Sequence, residues 1–103
     1  MIARVWRGFA KPEKAEAYRH HFTDTVTPHL KELAGYIAGY LLRKDSGADV
    51  EFVALTLWDS LESIKAFTGE NPQVAIVEPE ARRSLSRFDE VATNYEVVFH
   101  AEK

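Results

Sequence analysis

Four histidines, two tryptophans and one adjacent pair of arginines are the side chains through which this 103-residue chain could do chemistry. His29 follows Pro28 and falls beside Phe22 and Leu33 in an apolar helical stripe. An imidazole at a pocket mouth there is a candidate general base, able to take a phenolic proton near neutral pH. A partly buried histidine with its ring nitrogens satisfied is the plainer reading. His20 and Asp24 are four residues apart on one helix face, where the carboxylate could orient the imidazole or simply form a solvated pair. His21 points elsewhere.

Trp58 closes a strand with no polar alternation, and its indole could stack on an aromatic substrate; as a core residue it needs no such role. Trp6 on the first strand has the same two readings. Arg82, next to Arg83, could present a planar fork of donors to an anion or phenolate, or stay solvated. Tyr36, Tyr40 and Tyr95 are candidate hydrogen-bond donors to a substrate oxygen, and Phe22 and Phe67 candidate pocket walls. Two histidines and a carboxylate never share a face at ligand spacing, so no metal site is expected. The chain has no cysteine, no glycine-rich phosphate loop and no nucleophile elbow.

These residues need elements to hold them. Ile2 to Phe9 reads as a strand. Pro12 suits the first turn of a helix whose apolar positions continue to about Ala34, with Pro28 kinking or splitting it and Gly35 ending it. Tyr36–Arg43 and Phe52–Trp58 read as a hairpin around Lys44–Asp49. Asp59 suits the N-cap of a helix to Phe67, with Glu62 completing a capping box. Val74–Val77 has no clear state. A helix follows from about Glu80 to Arg87, and a last strand from about Asp89 to His100.

The order is β-α-β-β-α-β with one extra short helix, the split βαβ or ferredoxin-like α+β arrangement with a four-stranded antiparallel sheet. One domain spanning 1–103 is expected. In the third strand Phe52, Ala54, Thr56 and Trp58 point one way, and Val53, Leu55 and Leu57 the other. A strand apolar on both sides needs cover on both. Helices cover one face; the economical cover for the other is a second copy packed sheet to sheet, so a homodimer is expected.

Net charge is −3, and the basic residues are scattered, which argues against a nucleic-acid partner. No stretch approaches a membrane span, and the N-terminus lacks the apolar run of a signal peptide, so a cytoplasmic location is expected.

The segments Tyr36–Arg43, Phe52–Phe67, Pro79–Arg83 and Phe88–Glu90 resemble the antibiotic biosynthesis monooxygenase domain of the dimeric α+β barrel superfamily. The resemblance implies a dimeric barrel and, among its activities, cofactor-free oxidation of phenols to quinones or haem degradation. It implies no cofactor for the first, and a small aromatic substrate between sheet and helices. A non-catalytic dimer that binds a small ligand is the alternative. Haem-degrading relatives pair a first-strand asparagine with a tryptophan and an axial histidine. Here the strand offers Arg4, Trp6 and Arg7, the corresponding helix position is Phe67, and Val74–Arg83 has no histidine. Where relatives often read His-Tyr-Glu-Val, this chain has Asn94-Tyr95-Glu96-Val97.

Overall fold

Alternating β-formers in the first strand and in the hairpin set the sheet. In the computed structural model, which describes residues 1–103, β1 (Ile2–Ala10) lies in the centre. Strands β2 (Tyr36–Ser46) and β3 (Asp49–Trp58) form the hairpin, turning at Gly47 with φ +66°. The spatial order is β2-β3-β1, with the last strand on the far edge of β1. All pairings are antiparallel, as the ferredoxin-like order requires.

That last strand is divided. β4 (Arg87–Phe88) pairs with Gly8 and Phe9, and β5 (Thr93–Glu96) pairs with Ile2–Val5. Between them the chain leaves β1 to meet the 73–75 segment, where Ala92 N–H bonds the Gln73 carbonyl and Val74 bridges Val91. The expected strand from Asp89 to His100 is therefore shorter and broken. Past β5 only Val97 N–H still bonds to Met1, and Val98 and Phe99 are exposed.

The long first helical segment divides where proline demands it. Pro28 has no N–H, and its ring would crowd the carbonyl four residues back. A π-helical turn, Phe22–Val26, joins α1 (Pro12–His21) to α2 (Thr27–Lys31), and the Thr27 N–H reaches the Phe22 carbonyl. The wider spacing absorbs the mismatch without interrupting the helical path.

Helix α3 (Leu61–Thr68) starts one residue later than its sequence suggests. Asp59 N–H is still held by the Gly35 carbonyl at 2.8 Å, so Ser60 becomes the N-cap and accepts the Ser63 N–H at 3.1 Å. Asp59 accepts the Ser63 hydroxyl, and Glu62 pairs with Lys65 instead of capping. Gly35 has φ +92°, and a Cβ there would run into Ser63, so glycine is required at this crossing. Helix α4 is short, Pro79–Ser84, with Ala81 buried.

The helices cover one sheet face only. A larger core gathers Trp6, Tyr18, Phe22 and Phe52, and a smaller one Leu30, Trp58 and Ile64. On the opposite face β3 aligns Val53, Leu55 and Leu57 with Leu42, Tyr40 and Ala38 of β2 and with Arg7, Val5 and Ala3 of β1. Tyr40 is 54% and Leu42 48% exposed, so nothing in the chain covers this face. The sheet remains open.

Candidate active site

Alternation along β1 and β3 decides which side chains meet the helices. Arg4 lies directly across from Thr56 and Trp6 from Ala54, all on the helix-facing side. Above them α1, the π-turn and α2 bring Tyr18, Phe22, Val26 and Leu30. Phe67 of α3 and Ile76 of the following loop close the remaining side. These ten residues enclose a narrow apolar cavity of about 60 Å³. A space of that size holds a water or two, so an aromatic ring enters only when wall side chains move. Ile76 is the exposed wall, and Phe67, Val26 and Ala54 are half-buried.

Most of the polar groups around this cavity are already spoken for. Trp6 Nε1 donates to the Asp89 carbonyl at 2.9 Å, and Trp58 Nε1 to Thr56 Oγ1 at 2.9 Å. Burial raises the pKa of the Tyr18 phenol, so its hydroxyl stays protonated. Arg4 is 5% exposed; its two terminal nitrogens donate to the carbonyls of Pro72 and Val74 at 2.5 and 2.6 Å. Its guanidinium also sits 5.7 Å from the Phe67 ring centre. Burial lowers its pKa to about 10, which still leaves it cationic at neutral pH.

Of the residues singled out from sequence, Trp6, Phe22 and Phe67 are brought together here. His29 lies just outside. It is exposed, its ring is 6.2 Å from that of Phe67, and with Thr25, Ile76 and Glu78 it lines an outer depression. Phe67 and Ile76 thus form the partition between the His29 depression and the inner cavity. Trp58 is fully buried behind this wall, stacked on Phe67 at 6.3 Å and edge-on to Tyr36 at 5.4 Å.

The remaining residues lie elsewhere. Tyr36 contacts Trp58 in the second core, away from the cavity lining, and partial burial raises its pKa. Tyr40 and Tyr95 are on the open sheet face, on the far side of the sheet from the cavity. Arg82 donates to the Val77 carbonyl at 3.0 Å and lies 5.1 Å from the Phe88 ring centre, outside the cavity wall. His20 and Asp24 form an exposed pair at 3.7 Å. His21 is buried, with Nδ1 3.2 Å from Glu80 and Nε2 3.7 Å from Glu78, so it ties α1 to the start of α4.

Arg4, Tyr18, Thr56 and Ile76 are lining residues that were not singled out from sequence as part of a site. Arg4 and Trp6 share a strand face by simple alternation, a signal present in the sequence. That Thr56 sits opposite Arg4 depends on strand register, which the sequence does not state. No group of three or more histidine, aspartate or glutamate side chains is placed to hold a metal ion. No helix is long and apolar enough to cross a membrane.

A ferredoxin-like α+β domain with an aromatic-lined space between sheet and helices is the class that fold and site define. Within it, the sequence profile described as antibiotic biosynthesis monooxygenase matches residues 1–79, and the chain belongs to that family. No curated protein matches the chain by sequence. Among solved structures it is similar to a protein of Bacillus cereus assigned as an antibiotic biosynthesis monooxygenase: 17% identical, TM-score 0.69, covering 99% of this chain and 97% of that one. It is also similar to SnoaB, a cofactor-independent oxygenase from Streptomyces nogalater: 13% identical, TM-score 0.63, covering 99% and 97%. A mutant of MhuD with two manganese protoporphyrin IX bound per active site matches at 16% identity and TM-score 0.69 over the whole of both chains. At these identities the likenesses establish the fold.

Proposed function

We propose that this protein is a small oxygenase that acts, without a resident cofactor, on an electron-rich aromatic bound between the sheet and the helices. The observation that carries this reading is the cavity whose walls are the aromatic rings of Trp6, Tyr18, Phe22 and Phe67. Such rings favour a flat apolar ligand through offset and edge contacts. Family membership supplies the reaction class, and the likeness to a cofactor-independent oxygenase agrees with it.

Substrate entry displaces Phe67 and Ile76 and joins the inner cavity to the His29 depression. His29 then faces the ring as general base. A ring methylene loses a proton, and the resulting carbanion passes one electron to O2. Superoxide and carbon radical combine to a hydroperoxide, and loss of water leaves a ketone. One oxygen atom ends in the product and the other in water. Trp58 backs Phe67 and holds the wall in place. In this account Arg82, Tyr36, Tyr40 and Tyr95 take no part in the reaction.

We also read the open sheet face as the contact surface of a homodimer. Val53, Leu55 and Leu57 with their neighbours form an apolar stripe that a second copy would cover by two-fold packing.

A porphyrin fits these residues poorly. None of the four histidines lines the cavity, so no axial ligand for a haem iron stands among its walls. Haem degradation is accordingly not adopted.

Oxygen consumption with an anthrone, without added metal or flavin, tests the reading. Uptake is expected in step with quinone formation, and His29→Ala should slow it by about 100-fold or more, the usual contribution of a general base. Unchanged uptake in that variant would remove His29 from the mechanism. Capture of the anthrone without uptake would make the protein a binding module.

A further inference from the structure

Arg4 is the one buried arginine, and no carboxylate pairs with it. Arg7, Arg19 and Arg43 each hold an acidic partner at the surface, where the partner matters least. Arg4 instead has two neutral carbonyls, which engage two of its five N–H donors. Neutral carbonyls do not in themselves require a cation as their donor. A cation out of water without a counter-charge is costly, and the depression of its pKa to about 10 reflects that cost.

The groups beside it are donors too. Thr56 lies directly opposite Arg4 across the β1–β3 ladder. Its oxygen already accepts the Trp58 indole N–H, so its own proton is left to give. Tyr18 lines the same cavity, with its phenol held in the donating, protonated form. No carboxylate, amide or histidine lines this space. An apolar slot that offers hydroxyl protons and a cation, and no anionic side chain, is complementary to a flat anion.

We infer that Arg4, with Thr56 beside it, is an oxyanion-binding site, and that the ligand is an aromatic bound through an ionised ring oxygen, a phenolate. This rests on the proposed aromatic cavity and names the charge state that the cavity selects. Selection of the anion lends the bound ring the electron density that O2 draws on. It also fixes which end of the ring faces β1, with the opposite end toward Phe67 and His29.

4-Nitrophenol tests this directly, because its phenol and phenolate differ in absorbance. With the wild-type protein, the bound dye should ionise at lower pH than the free dye, with the phenolate held at least about 10-fold more tightly than the phenol. 4-Nitroanisole, which cannot ionise, should bind with the weaker, phenol-like affinity. Arg4→Met should lose the phenolate preference while still binding 4-nitroanisole, and Arg4→Lys should retain part of it. Circular dichroism confirms the fold of each variant, and the wild-type comparison stands even where Arg4→Met does not fold.

Equal affinity of wild type for 4-nitroanisole and the phenolate would overturn the inference and leave the aromatic cavity standing. A phenolate preference that survives Arg4→Met would overturn the assignment to Arg4. Failure of both dyes to bind would remove the cavity reading and this inference together. Phenolate selection with no oxygen uptake on any aromatic would sink the oxygenase reading and keep this one.

Discussion

Trp58→Ala is expected to lower the unfolding free energy by about 3–5 kcal/mol, the range for deleting a large buried aromatic. Trp58 is completely buried between Leu30, Ile64, Tyr36 and Phe67, and it links α2, α3 and the β2–β3 ladder into the smaller core. Its loss opens a cavity that none of these neighbours fills without leaving its own contacts. Thr56 also loses the one donor that its oxygen accepts. Domains of this size have about 5–15 kcal/mol in total, so the variant should melt at least about 12 °C lower by circular dichroism. Trp58→Phe keeps most of the volume and should cost much less. If Trp58→Ala melted within two or three degrees of wild type, the small core would not be the clamp described here.

Leu55→Asp should turn a dimer into a monomer without unfolding it. Leu55 is at the centre of the open face, between Val5 on β1 and Tyr40 on β2, and it touches nothing in the helical layer. Within one chain the new carboxylate therefore stays in water. Two-fold packing would bury two of them, one from each copy, and Arg7 on the same face already pairs with Asp89. An uncompensated buried charge costs about 3–5 kcal/mol, so dimer affinity should fall by more than 1000-fold. Native mass spectrometry should give twice 11.7 kDa for the wild type and 11.7 kDa for Leu55→Asp. A wild-type mass of one chain would refute the sheet-to-sheet dimer. A variant that stays dimeric would place the interface elsewhere.

Much of this architecture is legible in the residues themselves. The doubled apolarity of β3 is visible because period-two alternation assigns each residue a face before any contact is known. Pro28 announces a disturbance in the helix, although the sequence does not say that a π-turn will absorb it. The cap of α3 falls on Ser60 and not Asp59 because a backbone bond from Gly35 holds Asp59 in the sheet, a contact made across 24 residues. The last strand breaks for a similar reason. Ala92 leaves β1 to bond Gln73, and no local pattern in Asp89–Ala92 encodes that partner.

The site is less legible, since its chemistry depends on which faces meet. Trp6, Phe22 and Phe67 carry an apolar signal, and they do converge on the cavity. Tyr40 and Tyr95 carry the same signal and stand on the other side of the sheet. Helical spacing says only that His21 points away from His20 and Asp24; its burial beside Glu78 and Glu80 depends on where α4 arrives. Arg4 was visible as a charged residue in a strand. Its lack of a counter-charge appears only once the 72–74 carbonyls are seen to be its partners.

The most direct test of the central claim is the fate of oxygen-18 supplied as gas during turnover of an anthrone, with metal chelated and the quinone analysed before exchange with water. The account predicts one labelled oxygen atom in each new carbonyl and one in water. Quinone formed with unlabelled oxygen would mean that the carbonyl oxygen comes from water, and the protein would not be a monooxygenase acting as described.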